Sequence, residues 1–302
     1  MSWLFFAFSG PVLWAASVHI DKYIVEKYFK EGSVAVLMVF TAIIGLIALP
    51  FIWIADQRVA ILPLQSIAVI VSSGVLYMGA MYFYLQALQS EDASTVAPLF
   101  QSMAIFGFIL GFLFLKEIPT SIQLTGGLLI IIGSVILSVQ RGERRHRMKT
   151  RLILLMLACS FALALSALIF KFFAITDEFW STTFWNFVGN AIFGVLLMMS
   201  AANRRQFKDM FKTNPGAVLT INGINEVVNL AGSLGTRYAL IFAPLGIVQA
   251  IGSTTLFFVL LFGILLSFFF PKISQEEIGG KNILKKAVAV TLVVAGVWLV
   301  NR

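Results

Sequence analysis

The sequence predicts an all-α polytopic membrane protein whose ten transmembrane helices form two inverted five-helix repeats. Three observations carry this. The 302 residues are 59% hydrophobic and 12% charged, with a positive mean hydropathy, whereas soluble domains run roughly 45–50% apolar and about 25% charged. Apolar runs long enough to cross about 30 Å of hydrocarbon, some 20 residues each, recur ten times. Segments of the first half also recur in the second, 149 to 152 residues later. Backbone groups in hydrocarbon must be satisfied internally and no short alternating strands interrupt the chain, so the spans are helices.

The first half contains runs at residues 3–20, 34–54, 64–88, 93–115 and 122–139; the second at 152–174, 179–201, 217–240, 243–270 and 284–300. The first run ends on Ala15, Ala16 and Ser17, small residues of the kind a signal peptidase cuts after. It has no basic leader and has a counterpart in the second half, so it reads as a mature helix. In the fourth run Gly107 and Gly111 form a G-x-x-x-G pair that lets another helix approach, within the fold or across a homodimer. Gln101 and Gln249 fall on the fourth and ninth runs beside expected turns at Ala97-Pro98 and Ala243-Pro244. In the seventh, Asn186 and Asn190 lie one turn apart after Thr182 and Thr183, a pattern that interhelical packing explains.

The duplication sets the domain division. Ser17 and Lys22 answer Ser166 and Lys171 at an offset of 149, while Ala87-Leu88, Val96 and Leu99 answer Ala239-Leu240, Val248 and Ile251 at 152. Five is odd, so the second repeat enters the membrane with opposite polarity. The repeats are expected at residues 1–140 and 151–302, joined by a basic linker at 141–150.

Charge sets the orientation. Seventeen of the 22 Lys and Arg residues lie on alternate connections, with Arg58, Lys116, Arg237 and Arg302 assigned to the other side and Lys171 inside a span. By the positive-inside rule the basic connections are cytoplasmic and both termini outside. The net charge of +8 therefore reads as loops contacting lipid headgroups, with no nucleic-acid partner. The single cysteine, Cys159, and two distant histidines exclude a disulfide framework and give no metal site. No nucleophile elbow, phosphate-cradling loop or zinc-protease signature is present, so no catalytic residue and no cofactor are expected. The Glu91-Asp92 pair reads as a solvated turn.

The most informative segment is the eighth run. Asn222, Asn225, Glu226, Asn229, Ser233 and Arg237 share a stripe about 120° wide on an otherwise apolar helix. A lone charge at a helix centre costs roughly 2.5 to 3.5 kcal/mol on insertion scales, so such groups face a bundle interior or a wet cavity. In the third run Ser73, Tyr77 and Tyr84 occupy the repeat positions of Asn225, Asn229 and Thr236. The expected cavity set is thus Glu226, Asn222, Asn225, Asn229, Lys171, Ser73, Tyr77, Tyr84, Gln101 and Gln249. Glu226 and Lys171 form an ion pair, or Glu226 exchanges a proton while Lys171 binds an anionic group. Pairing of Glu226 with Arg237 is disfavoured, because the intervening eleven residues span about 16 Å of helix.

The ten-span pattern, Gly10-Pro11 and Trp14 in the first run, and Leu115-Lys116-Glu117-Ile118-Pro119 leading to Gln123, Gly126, Gly127 and Gly133 together resemble the EamA group of the drug/metabolite transporter superfamily. The second half departs from that pattern at Phe270-Pro271-Lys272, where a glutamate is expected, with an insertion around residues 274–282. Members of this group enclose a central cavity with helices one, three, four, six, eight and nine, and leave five and ten peripheral. The resemblance implies a secondary carrier in a bacterial plasma membrane, moving a small polar or amphipathic, amino-acid-like molecule by alternating access. A carrier or flippase of lipid-linked or larger amphipathic cargo is the alternative, and a membrane-embedded enzyme or assembly subunit the third reading.

Overall fold

The computed structural model describes residues 3–28, 34–90, 93–138, 150–213, 215–269 and 280–302. The described chain is helical, with no strands among those residues. The first half contains α1 (Trp3–Tyr28), α2 (Val34–Ala55), a 3-10 turn at Gln57–Ala60, α3 (Leu64–Ser90), α4 (Ala93–Phe100), α5 (Ser102–Leu115) and α6 (Ser121–Ser138). The second contains α7 (Thr150–Thr176), α8 (Phe179–Met199), α9 (Ala201–Thr213), α10 (Pro215–Phe242), α11 (Leu245–Gly252), α12 (Thr255–Phe269) and α13 (Gly280–Val300).

Eight described segments are long and apolar enough to cross a membrane, two of them formed by α4 with α5 and by α11 with α12. The helices α10 and α13, 28 and 21 residues long, rise about 42 and 31 Å at 1.5 Å per residue, which suffices for a crossing. The stripe of α10 and the lysines opening α13 make them less apolar. The linker at 141–149, the Glu91-Asp92 pair and most of the insertion lie outside the described residues.

Two expectations are corrected. The connection after α8 is itself a helix, α9, with Arg204, Arg205 and Lys208 among polar positions and the Phe207 ring tilted against Phe40, centroids 5.6 Å apart. Its period places charge and aromatic residues on different faces, as in interfacial helices. The fourth and ninth spans are also broken. The chain does not turn at Ala97-Pro98, which lies inside α4; it breaks at Gln101, and again at Ser253 and Thr254. At both breaks the ladder tightens to i→i+3 bonds, from Gln101 N to Pro98 O at 3.3 Å and from Thr254 N to Ile251 O at 2.9 Å. Hydroxyls satisfy the loosened carbonyls, as irregular backbone in a membrane requires. Ser102 bonds Leu99 O at 2.7 Å and Thr255 bonds Gly252 O at 2.8 Å, while Ser160 of α7 reaches Phe100 O at 3.3 Å and Ser134 of α6 reaches Ser253 O at 3.0 Å.

The helices cross where glycines remove side chains. Pairs α1 with α10, α3 with α7, α3 with α8, and α6 with α13 are the main contacts. Gly10 meets Gly232, Gly74 meets Gly189, and Gly126 meets Gly296. Gly107 lies against Gly246 and the Gln249 side chain, and Gly111 against Glu117 and Leu245, so the G-x-x-x-G pair is filled by α11 and not left for a homodimer contact. A Cβ on Gly74 would overlap the Asn186 carbonyl oxygen of α8. Backbone cannot rotate aside as a side chain can, so Gly74→Val is expected to cost at least about 1–3 kcal/mol and to lower the melting midpoint in detergent. Gly223→Ala, with no atom within 4 Å of the added Cβ, is the control expected to melt at the same or a slightly higher temperature, because alanine favours the helix.

Candidate functional site

The α10 stripe faces protein. Asn222, Asn225 and Glu226 are 2%, 1% and 7% exposed, and Asn229 is half-buried. Thr41 of α2 donates its hydroxyl to Glu226 Oε1 at 3.1 Å, so the carboxylate is turned toward α2 and away from the lipid face. Tyr77 of α3 is half-buried and lies within charge–charge reach of both Glu226 and Arg237.

A second cluster joins four helices. Ser73 Oγ donates to Ile70 O at 2.7 Å and accepts from Asn186 Nδ2 at 2.8 Å, while Ser166 of α7 donates to Ser73 O at 2.9 Å. Asn186 Oδ1 in turn accepts from Arg237 Nη2 at 2.7 Å, and Arg237 Nε donates to Ser233 Oγ at 3.1 Å. The guanidinium lies 4.8 and 5.1 Å from the ring centroids of Phe170 and Phe187. Arg237 therefore belongs inside the bundle and not among the loop charges; α10 continues past it to Phe242. Its place on the polar stripe was the signal for this. Asn186, read from the sequence as packing, is the hub between α3 and α10.

Lys171 does not meet Glu226. It is 4% exposed, ion-pairs with Glu117 and donates to Ala243 O at 2.5 Å. The other Glu117 oxygen accepts from Leu245 N at 2.7 Å, so an anion caps the opening of α11, where unpaired N–H groups and the helix dipole favour it. The chain reaches this position because Lys116 adopts a left-handed conformation, φ 53°, which ends α5 and turns Glu117 beneath α11. Lys171 thus ties α7 to the α5–α6 and α10–α11 connections.

A second ion cluster closes the α2–α3 and α7–α8 connections. Arg58 binds Asp56 at 2.9 Å and Glu178 at 2.5 Å, and Trp185 Nε1 donates to Val59 O at 2.8 Å. The Arg58 hydrogen bond holds the Asp56 carboxyl below the ordinary range, while burial, reinforced by Asp56, raises that of Glu178.

The remaining expected residues lie elsewhere. Tyr84 is on the same face of α3 as Tyr77 but two turns along, with its ring 4.1 Å from Phe100 in an apolar cluster with Ala87, Val96 and Met156. Gln101 is buried at the α4–α5 break. Gln249 is buried against Gly107, with neither amide atom hydrogen-bonded. The structure thus brings Glu226 and Tyr77 into one electrostatic neighbourhood, adds Arg237 and Asn186 to the Ser73 cluster, and separates Lys171 and Tyr84 from both.

Comparison with known proteins agrees with this architecture. A stretch of 109 residues is 27% identical to the pseudopaline exporter CntI of two Pseudomonas aeruginosa strains, covering 36% of this chain and 38% of those relatives. The match thus spans under two-fifths of their length. A crystal structure superimposes with a TM-score of 0.70 at 13% identity, over 99% of this chain and 95% of that one, which shows a shared fold. The model of the EamA-like transporter family matches residues 1–139. The resemblance to the EamA group read from the sequence therefore holds, and it is the first half of the chain, residues 1–139, that matches the EamA-like transporter family.

Proposed function

We propose that the chain is a secondary transporter that moves a small polar or amphipathic, amino-acid-like metabolite by alternating access, with Glu226 as its proton-coupling group. The observation that carries this reading is the buried and half-buried polar lining supplied by both halves. Thr41, Ser73 and Tyr77 come from the first, and Asn186, Glu226 and Arg237 from the second. An interaction module has no need of such an interior, because unfilled polar positions in a membrane bundle cost free energy.

Two further features support it. The breaks at Gln101 and Ser253 are 152 residues apart, the offset of the sequence repeat. Paired discontinuous helices of this kind mark midplane sites in carriers built from inverted repeats. We therefore take 1–140 and 151–302 as the two repeats, with the basic linker on the cytoplasmic side of a bacterial plasma membrane. The relatives named as exporters favour outward transport. Counterflow in proteoliposomes is the test: an amino-acid mixture inside the vesicles should drive accumulation of labelled amino acids from outside. Absence of counterflow alongside scrambling of fluorescent lipid would favour the lipid-linked alternative.

A further inference from the structure

We infer that Arg237 is the anchor for a carboxylate group of the transported molecule, an inference that rests on the transporter reading and names the substrate class of that site. A guanidinium cannot lose its proton in a protein, so the charge of Arg237, half-buried between helices, must be compensated. Among the described residues its hydrogen-bond acceptors are neutral, the Ser233 hydroxyl and the Asn186 amide oxygen. Two aromatic rings flank it. Nη1 is buried and has no hydrogen-bond partner. This is a charge held in place by neutral groups, with one whole nitrogen, Nη1, left without an acceptor.

The anion is not Glu226. Both side chains leave α10, eleven residues apart, and side chains of one helix lean the same way, so the axial gap of about 16 Å persists between their charged heads. The same distance separates their roles. An α-amino acid carries its two charges on neighbouring carbons and cannot bridge Arg237 and Glu226, so Arg237 holds the substrate and Glu226 serves the separate role of proton exchange.

A singly charged carboxylate costs less to withdraw from water beside two aromatic rings than a doubly charged phosphate. The guanidinium is a planar donor array held between two rings, and a planar carboxylate matches it with parallel hydrogen bonds. Asn190, one turn along α8 from Asn186, adds a buried amide oxygen without a partner that can accept from an ammonium or hydroxyl on the bound molecule.

The test uses the full chain in detergent and measures thermal shift against matched acids and amides: propionate with propionamide, phenylalanine with phenylalaninamide, glutarate with glutaramide. At least one acid should raise the melting midpoint while its amide does not. Arg237→Gln should weaken that binding at least tenfold, and the exposed control Arg302→Gln should leave it intact. Should Arg237→Gln fail to fold, Arg237→Lys keeps the charge without the planar fork and should also bind at least tenfold more weakly. Equal shifts by acids and amides, no shift by any acid, or wild-type binding by the Arg237 variants would overturn the assignment. Counterflow lost with acid binding intact would count against the transporter reading alone; counterflow intact with binding independent of Arg237 would count against this inference alone.

Discussion

Glu117→Ala is expected to cost about 3–5 kcal/mol of stability, the penalty for breaking a buried ion pair by removing one partner. The lysine left behind is 4% exposed and retains only the Ala243 carbonyl as acceptor. The substitution also removes the acceptor for Leu245 N at the opening of α11, so two losses combine at one atom group. Glu117→Gln should be milder, since an amide oxygen still accepts from Leu245 while the charge is gone. The double variant Glu117→Gln with Lys171→Met should recover most of the loss, because replacing a whole buried pair by neutral groups of similar volume is often close to neutral. Thermal melts of the four proteins form a double-mutant cycle. A double variant as unstable as Lys171→Met and Glu117→Gln added together would mean that the two residues do not act as a pair.

That pair also shows where the sequence stops being legible. Helix positions follow from apolar run length, a local property, and the runs at 34–54 and 179–201 coincide closely with α2 and α8. Partners are not local. Lys171 and Glu117 lie 54 residues apart, and nothing in either neighbourhood says that a left-handed turn at Lys116 brings them together. Sequence reasoning therefore offered Glu226, the other conspicuous charge in a span, as one possible partner of Lys171. Tyr84 was drawn into the cavity for a related reason: a helical wheel reports which face a residue shares, not its height along the axis, and two turns place Tyr84 against Phe100. The breaks at Gln101 and Ser253 were hidden because serine and threonine satisfy loosened carbonyls without interrupting an apolar pattern. Arg237 was legible on its stripe, but its nearness to the end of the run suggested a loop; only the continuation of α10 and the contact with Asn186 place it inside.

Glu226→Gln is expected to leave the protein folded and to abolish flux driven by a pH gradient. The amide is nearly isosteric and its oxygen can still accept from Thr41, so the α2–α10 contact survives. Removing an ionisable group from the middle of a span also removes an insertion cost of roughly 2.5 to 3.5 kcal/mol if the group is charged there, so the melting midpoint should be equal or higher. A purely structural carboxylate would give that same melt, and the two roles separate only in transport. If Glu226 carries the proton, the variant still exchanges substrate in counterflow, which needs no net proton movement, but no longer accumulates it when an imposed pH gradient is the driving force. If Glu226 only braces α10 against α2, both activities persist with unchanged pH dependence. Loss of both would mean that the carboxylate contacts the substrate itself, and the 16 Å or so of helix between Glu226 and Arg237 would then require cargo with charged groups far enough apart to reach both.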